Sequence, residues 1–162
     1  MANKRPIEIF MPPNVLKAKM GNGSLDLSAV ERAEQALENL KGEFAGWVNQ
    51  DVSRLVEAGA AYAKQGNVET LCNIYRAAHD LKGHGTTFGF PLISRIATSL
   101  CTLTDDTAYG LPLPPNLIEA HIDAIQVIVR DDIRDESNES TTVLAAELEQ
   151  QVAEFLKTHS AA

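Results

Sequence analysis

The side chains best suited to chemistry stand close together around His79, on a segment whose apolar pattern predicts a helix. Lys82 and Gly83 follow His79 by three and four residues, and side chains at these spacings are neighbours on a helix surface. At about 100° of rotation per residue, the opposite face is apolar and carries Ile74, Ala77, Leu81 and Phe88. The imidazole is therefore predicted to face solvent, beside a cation and a residue without a side chain.

An exposed neutral imidazole keeps a lone pair that can attack phosphorus and form a phosphoramidate. The charge of Lys82 could balance the phosphate, and Gly83 would leave room for a partner to approach. Tyr75, Arg76 and Thr86 fall on the same face, and we assign them to the candidate binding surface. Spacing alone does not distinguish this arrangement from an ordinary surface histidine near a solvated lysine, which is common.

The other reactive side chains indicate neither a metal site nor a disulfide. His84 lies five residues after His79, which separates the two imidazoles by about 140° and prevents a shared metal ion. We expect His84 and His121 to flank the core or to form local hydrogen bonds. Cys72 and Cys101 have no CxxC spacing, and their expected offset of about 11 Å exceeds the ~6 Å that a disulfide requires. Two unpaired thiols suit a reducing compartment.

Helices are the elements expected to position these side chains. Apolar residues recur every three or four positions in segments at about 28–42, 44–65, 67–87, 90–104, 115–135 and within 136–162. Because short links favour antiparallel neighbours, we expect an all-α fold, an up-and-down antiparallel four-helix bundle with accessory N- and C-terminal helices. The last helix is expected to pack back on the bundle, since its apolar stripe is short for a coiled coil.

The sequence divides into three parts. Residues 1–24 contain three prolines and a GNGS segment, which predict an irregular N-terminal arm. Residues 25–135 predict the helical bundle, with its core at about 44–135 and an accessory helix at about 28–42. Residues 136–162 predict an acidic link followed by a C-terminal amphipathic helix.

The composition disfavours several classes of partner. The chain has 162 residues, with 22 acidic and 14 basic side chains and a formal net charge of −8. This charge repels phosphate backbones and anionic lipid surfaces, so we expect neither a nucleic-acid nor a membrane partner. No apolar run approaches the ~20 residues of a membrane span, and the N-terminal segment is a poor signal peptide. We expect a cytoplasmic, monomeric protein.

The stretch AAHDLKGHGTTFGF, residues 77–90, resembles the signature of histidine phosphotransfer (HPt) domains. In that signature the histidine is followed by any residue, a hydrophobic residue, Lys and Gly, and then by a later Gly. The matching positions are His79, Leu81, Lys82, Gly83 and Gly89. The GTTFGF portion is similar to the N-terminal phosphotransfer domain of chemotaxis histidine kinases. The resemblance covers about 44–135 and is strong from 77 to about 103.

The resemblance implies that His79 accepts the phosphate, that Lys82 balances its charge and that Gly83 permits close approach. It implies docking by receiver domains of response regulators or by a hybrid histidine kinase. Mg²⁺ is expected in the partner receiver domain, and no cofactor is expected in this chain. Many relatives place Glu or Gln 22 residues after the histidine, where it hydrogen-bonds the imidazole. This chain has Cys101 there, and a thiol is a weak acceptor.

These features predict a phosphoryl carrier and not an enzyme, because the sequence shows no glycine-rich nucleotide loop and no autokinase domain. The expected relay runs from phospho-Asp to His79 to Asp, between receiver domains of two-component signalling. In the chemotaxis-kinase relatives the missing Glu assists phosphorylation by ATP, so Cys101 favours a phospho-aspartate donor. Two alternatives stay open: a detached phosphorylation module of a chemotaxis-type kinase, and a helical adaptor that is not phosphorylated.

Overall fold

The computed structural model describes residues 27–105, 112–135 and 137–159, and every regular element within these ranges is an α-helix. The helices are α1 (Leu27–Gln65), α2 (Val68–Thr87), α3 (Pro91–Leu103), α4 (Pro115–Arg130) and α5 (Glu139–His159). The all-α prediction is confirmed for this part of the chain. The predicted irregular arm, residues 1–24, lies outside the described residues. None of the described helices is both long and apolar enough to cross a membrane.

The chain divides into two compact units, Met1–Glu38 and Asn39–Ala162. In the first unit, the described turns of α1 carry Val30 and Leu37 on the surface, and Leu37 is 63% exposed. The second unit contains the hydrophobic core and all of the residues singled out around His79.

Helix α1 is continuous over 39 residues, so the first predicted segment, at about 28–42, runs on into the second, at about 44–65. No proline interrupts the segment, and Gly42 lowers helix stability by only about 1 kcal/mol relative to Ala. Helix α1 ends at Gln65, which is the predicted limit of the second segment. Gly66 adopts a φ of 59°, and its N–H donates to the carbonyl oxygen of Tyr62 at 2.8 Å, which closes the last turn.

Helix α2, which carries His79, begins and ends at local signals. The Asn67 side chain accepts from the backbone N–H of Thr70 at 2.9 Å and caps the first turn. At the other end Gly89 has a φ of 84°, and the N–H of Phe90 donates to the carbonyl oxygen of Gly85 at 2.7 Å. This Schellman-type turn reverses the chain into α3.

The core follows the predicted apolar stripes most closely on α2, α3 and α4. Helix α3 contacts α2, α4 and α5. The second half of α1 buries Val48, Val52 and Leu55 and lies against α4, where Gly59 leaves space for the side chain of Ile122. The fully buried large apolar side chains on α2 to α4 are Ile74, Leu81, Leu92, Ile93, Ile96, Leu100, Leu103, Ile125 and Ile128.

Helix α4 ends at Arg130, five residues before the predicted limit of 135. Asp132 takes up a φ of 50°, and the N–H of Ile133 donates to the carbonyl oxygen of Ile128 at 2.9 Å. This hydrogen bond closes the helix. Ile133 nevertheless packs against the core, which explains why the apolar period in the sequence runs past the end of the helix.

Helix α5 packs against α3 and α4, so the prediction that the C-terminal helix packs back is confirmed. It buries Ala145, Leu148 and Val152, whereas Leu144 is exposed. The guanidinium of Arg95 donates two hydrogen bonds to the carboxylate of Glu149, both at 2.7 Å. These hydrogen bonds lower the pKa of Glu149 below its ordinary value and link α3 to α5.

Candidate functional site

Helix α2 displays His79 on its exposed face. Arg76, Lys82 and Gly83 are exposed beside it, whereas Ala78 on the inner face is fully buried. The predicted division of α2 into an outer polar face and an inner apolar face is therefore present. The imidazole lies beside the ring of half-buried Tyr75, one turn earlier, with 6.1 Å between ring centroids and 29° between ring planes.

The two glycines that follow Lys82 have opposite surroundings. A Cβ atom placed on Gly83 would meet no atom within 4 Å, so the space outside this position is open. A Cβ atom on Gly85 would lie 2.6 Å from the Ser94 hydroxyl oxygen, 2.8 Å from the Ser94 nitrogen and 3.0 Å from the Phe90 carbonyl oxygen. Gly85 thus permits the close approach of α2 to the start of α3. Gly85 was not singled out from the sequence, although a glycine on the core side of α2 could have indicated close contact with another helix.

Thr86 links α2 to α3. Its backbone N–H and its hydroxyl both donate to the Ser94 hydroxyl oxygen, at 2.8 and 3.0 Å. The side chain is exposed, as predicted, but its hydroxyl already has a partner within the protein. The assignment of Thr86 to the binding surface stays a prediction.

Cys101 is buried on α3 and faces α2. Its thiol reaches toward the Tyr75 carbonyl oxygen at 4.0 Å. Burial raises the pKa of the thiol to about 11, although the positive charge of Lys82 acts in the opposite direction. Cys101 therefore lies against the part of α2 that includes His79, as expected, but as a protonated, uncharged group at neutral pH.

A second polar group ties α2 to α1 next to this face. The Nδ1–H of His84 donates to the carboxylate of Asp51 at 2.9 Å, and Asp51 is buried. The guanidinium of Arg54 lies 3.3 Å from Asp51 and 3.9 Å from Asp80. The hydrogen bond of His84 is thus not local, and its partner on α1 was not predicted, because a helical wheel shows direction but not the neighbouring helix. The sequence feature that could have indicated this contact is Asp51 itself, an acidic residue between Val48 and Leu55 of the apolar stripe.

His121 is fully buried between α3 and α4. Its Nδ1–H donates to the Leu117 carbonyl oxygen at 2.7 Å, and its Nε2 lies 3.0 Å from the Ser99 hydroxyl. Burial lowers the pKa of the imidazole, so the ring is neutral at neutral pH and Nε2 accepts from Ser99. His121 thus forms the local hydrogen bond expected from the sequence, and it lies within the core rather than at its edge.

In the described part of the chain, the reactive side chains around His79 form neither a metal cluster nor a disulfide. Among residues 27–105, 112–135 and 137–159, no group of three or more His, Cys, Asp or Glu side chains is placed to hold a metal ion. Cys72 and Cys101 are not joined to each other. Of the predicted site residues, the structure brings His79, Tyr75 and Lys82 to one outer face, places Cys101 beneath it and engages Thr86 with α3.

Comparison of the chain with models of protein families, with curated proteins and with solved structures finds no match.

Proposed function

We propose that this chain is a histidine phosphotransfer protein that carries a phosphoryl group on His79 between receiver domains in cytoplasmic two-component signalling. The observation that carries the proposal is the exposed imidazole on α2, with exposed Lys82 one turn away and open space outside Gly83. A phosphoryl carrier needs a nucleophile that a second protein can reach, a cation to balance the phosphate and a surface without obstruction.

The helix contacts support an up-and-down four-helix bundle as the scaffold of the site. The second half of α1 touches α2 through the Asp51 and His84 pair and touches α4 at Gly59 and Ile122. Helix α3 contacts α2 and α4. These contacts link the four helices in a closed order, and α5 is the accessory helix on α3 and α4.

In the proposed reaction, a lone pair on the His79 imidazole attacks the phosphorus of an aspartyl phosphate in the partner. A P–N bond forms, the acyl P–O bond breaks, and the aspartate leaves as a carboxylate. The receiver supplies the acidic pocket and the Mg²⁺, and this chain supplies an oriented nucleophile and the charge of Lys82. Since aspartyl phosphate and phosphohistidine are both high-energy linkages, the transfer is reversible. His79 can therefore pass the phosphoryl group on to the aspartate of another receiver.

The state of Cys101 favours a phospho-aspartate donor. Its thiol, with a pKa of about 11, carries no charge at neutral pH and contacts the Tyr75 carbonyl oxygen. It therefore offers no negative charge that would make the imidazole more basic. A nucleophile without such activation suits an acyl phosphate, which is already reactive.

Phosphorylation assays with two donors test the proposal. Purified protein is mixed with a phosphorylated receiver domain and Mg²⁺, and separately with the ATP-binding core of a chemotaxis-type kinase and ATP. We expect acid-labile, alkali-stable phosphate from the receiver, which mass spectrometry maps to His79. His79→Gln is expected to abolish labelling. His84→Gln is the matched control, because it removes another exposed histidine of α2 and is expected to retain labelling.

Two results would contradict the relay and each supports an alternative. Phosphate that arrives only from the kinase core would identify the chain as a detached phosphorylation module. If no donor labels the protein and His79→Gln retains partner-dependent signalling, the chain is a helical adaptor that acts without phosphorylation.

A further inference from the structure

We propose that Tyr75 is a positioning residue that holds the imidazole of His79 in the orientation from which it accepts the phosphoryl group. This inference rests on the proposed function. The two rings are 6.1 Å apart between centroids, with 29° between their planes. Both values fall in the range of offset-stacked aromatic pairs, and residues four apart on a helix are neighbours.

Tyr75 is itself held in place. Its side chain is half-buried and packs against the hydrophobic core, which restricts the ring to few rotamers. Its backbone carbonyl oxygen faces the Cys101 thiol of α3 at 4.0 Å. Because its ring is fixed in this way, Tyr75 can restrict the rotamers of the His79 side chain beside it.

His79 has little else to orient it. Within the described residues, the structure gives its imidazole no hydrogen bond and no ion pair, and the ring of Tyr75 is its one aromatic neighbour. The nearby charged side chains Arg76 and Lys82 are cations, which do not accept hydrogen bonds from an imidazole. Without Tyr75, an exposed imidazole would exchange among its staggered rotamers.

Orientation matters because phosphoryl transfer requires the attacking atom in line with the leaving oxygen. Stacking covers one face of the imidazole and leaves its edge, where the nitrogen lone pair lies, open to a partner. The ring of Tyr75, rather than its hydroxyl, carries this effect. The aromatic ring is therefore the feature to vary.

The test compares Tyr75→Leu, which removes the ring, with Tyr75→Phe, which removes only the hydroxyl. Tyr62→Leu is the matched control, because Tyr62 of α1 is also half-buried against the core but lies away from His79. NMR measures the three-bond couplings that report the χ1 rotamer populations of His79, and rapid mixing with a phosphorylated receiver records the rate of labelling. We expect Tyr75→Leu to shift these populations and to slow labelling about threefold to tenfold. Tyr62→Leu should match the unmodified protein in both measurements, and Tyr75→Phe should match it in the χ1 couplings.

Unchanged χ1 couplings of His79 in Tyr75→Leu would overturn the proposal, as would a change in Tyr75→Phe equal to that in Tyr75→Leu. Circular dichroism of each variant separates these results from unfolding. Tyr75→Met, which also lacks a ring but keeps a long apolar side chain, takes the place of Tyr75→Leu if that variant fails to fold. Should the unmodified protein accept phosphate from no donor, the proposed function fails. The NMR comparison would still show whether Tyr75 orients the imidazole.

Discussion

Gly85→Ala is expected to lower the free energy of unfolding by about 1–2 kcal/mol, because overpacking exceeds the gain in helix propensity. The added methyl group would lie within 3.0 Å of two backbone atoms, the Ser94 nitrogen and the Phe90 carbonyl oxygen. Backbone atoms cannot rotate away, so α2 and the start of α3 must separate. That movement also weakens the hydrogen bonds from Thr86 to Ser94. Urea denaturation followed by circular dichroism measures the loss.

Gly83→Ala is the matched control, since Gly83 lies in the same helix but faces open space. Replacing an exposed helical glycine with alanine should raise the free energy of unfolding by up to about 1 kcal/mol. The two substitutions are therefore expected to have opposite signs. Equal effects on stability would contradict the close approach of α2 and α3 at Ser94.

Acid is expected to destabilise the protein through His121. Burial lowers the native pKa of this imidazole below its ordinary value of 6.5. Above that pH neither state carries the proton, whereas below it the unfolded chain binds a proton that the native protein excludes. The free energy of unfolding should therefore fall as the pH drops below about 6.5, by at most about 1.4 kcal/mol per pH unit. The fall ends once the pH passes below the native pKa.

His121→Gln isolates this effect. A glutamine amide can accept from the Ser99 hydroxyl but does not titrate, so the decline between pH 6.5 and 5 should become shallower. His79→Gln is the control, because it removes an exposed imidazole of α2 and leaves both His121 and the pair of His84 with Asp51 in place. Urea denaturation at four pH values from 8 to 5 gives the slopes. A slope in His121→Gln as steep as in the unmodified protein would show that another group carries the acid sensitivity.

The fold around His79 was largely predictable from periodicity. Leu92, Ile96, Leu100 and Leu103 repeat at helical spacing on α3, and all four are buried. Apolar periodicity did not predict the end of α4, because a single residue in a left-handed conformation can end a helix while the apolar pattern continues. Asp132 ends α4 through a left-handed conformation, although the apolar stripe continues beyond it.

The candidate site was predictable only in part. The exposure of His79 and Lys82 follows from one helix alone, so a helical wheel predicts it. The pairing of His84 with Asp51 and the fit of Gly85 against Ser94 involve two helices. Such contacts depend on which helices become neighbours and at what height, and no spacing within a single helix specifies either.

The four histidines of the chain occupy four different surroundings, and this gives the protein its own set of spectroscopic reporters. His79 lies beside a tyrosine ring, His84 donates to a buried carboxylate, and His121 is enclosed in the core. His159 lies 4.2 Å from the ring of Phe155 near the end of α5. Their NMR resonances should therefore be resolved from one another. A phosphoryl group on His79 would shift that signal most, while the other three report on the core, the α1 contact and the C-terminal helix.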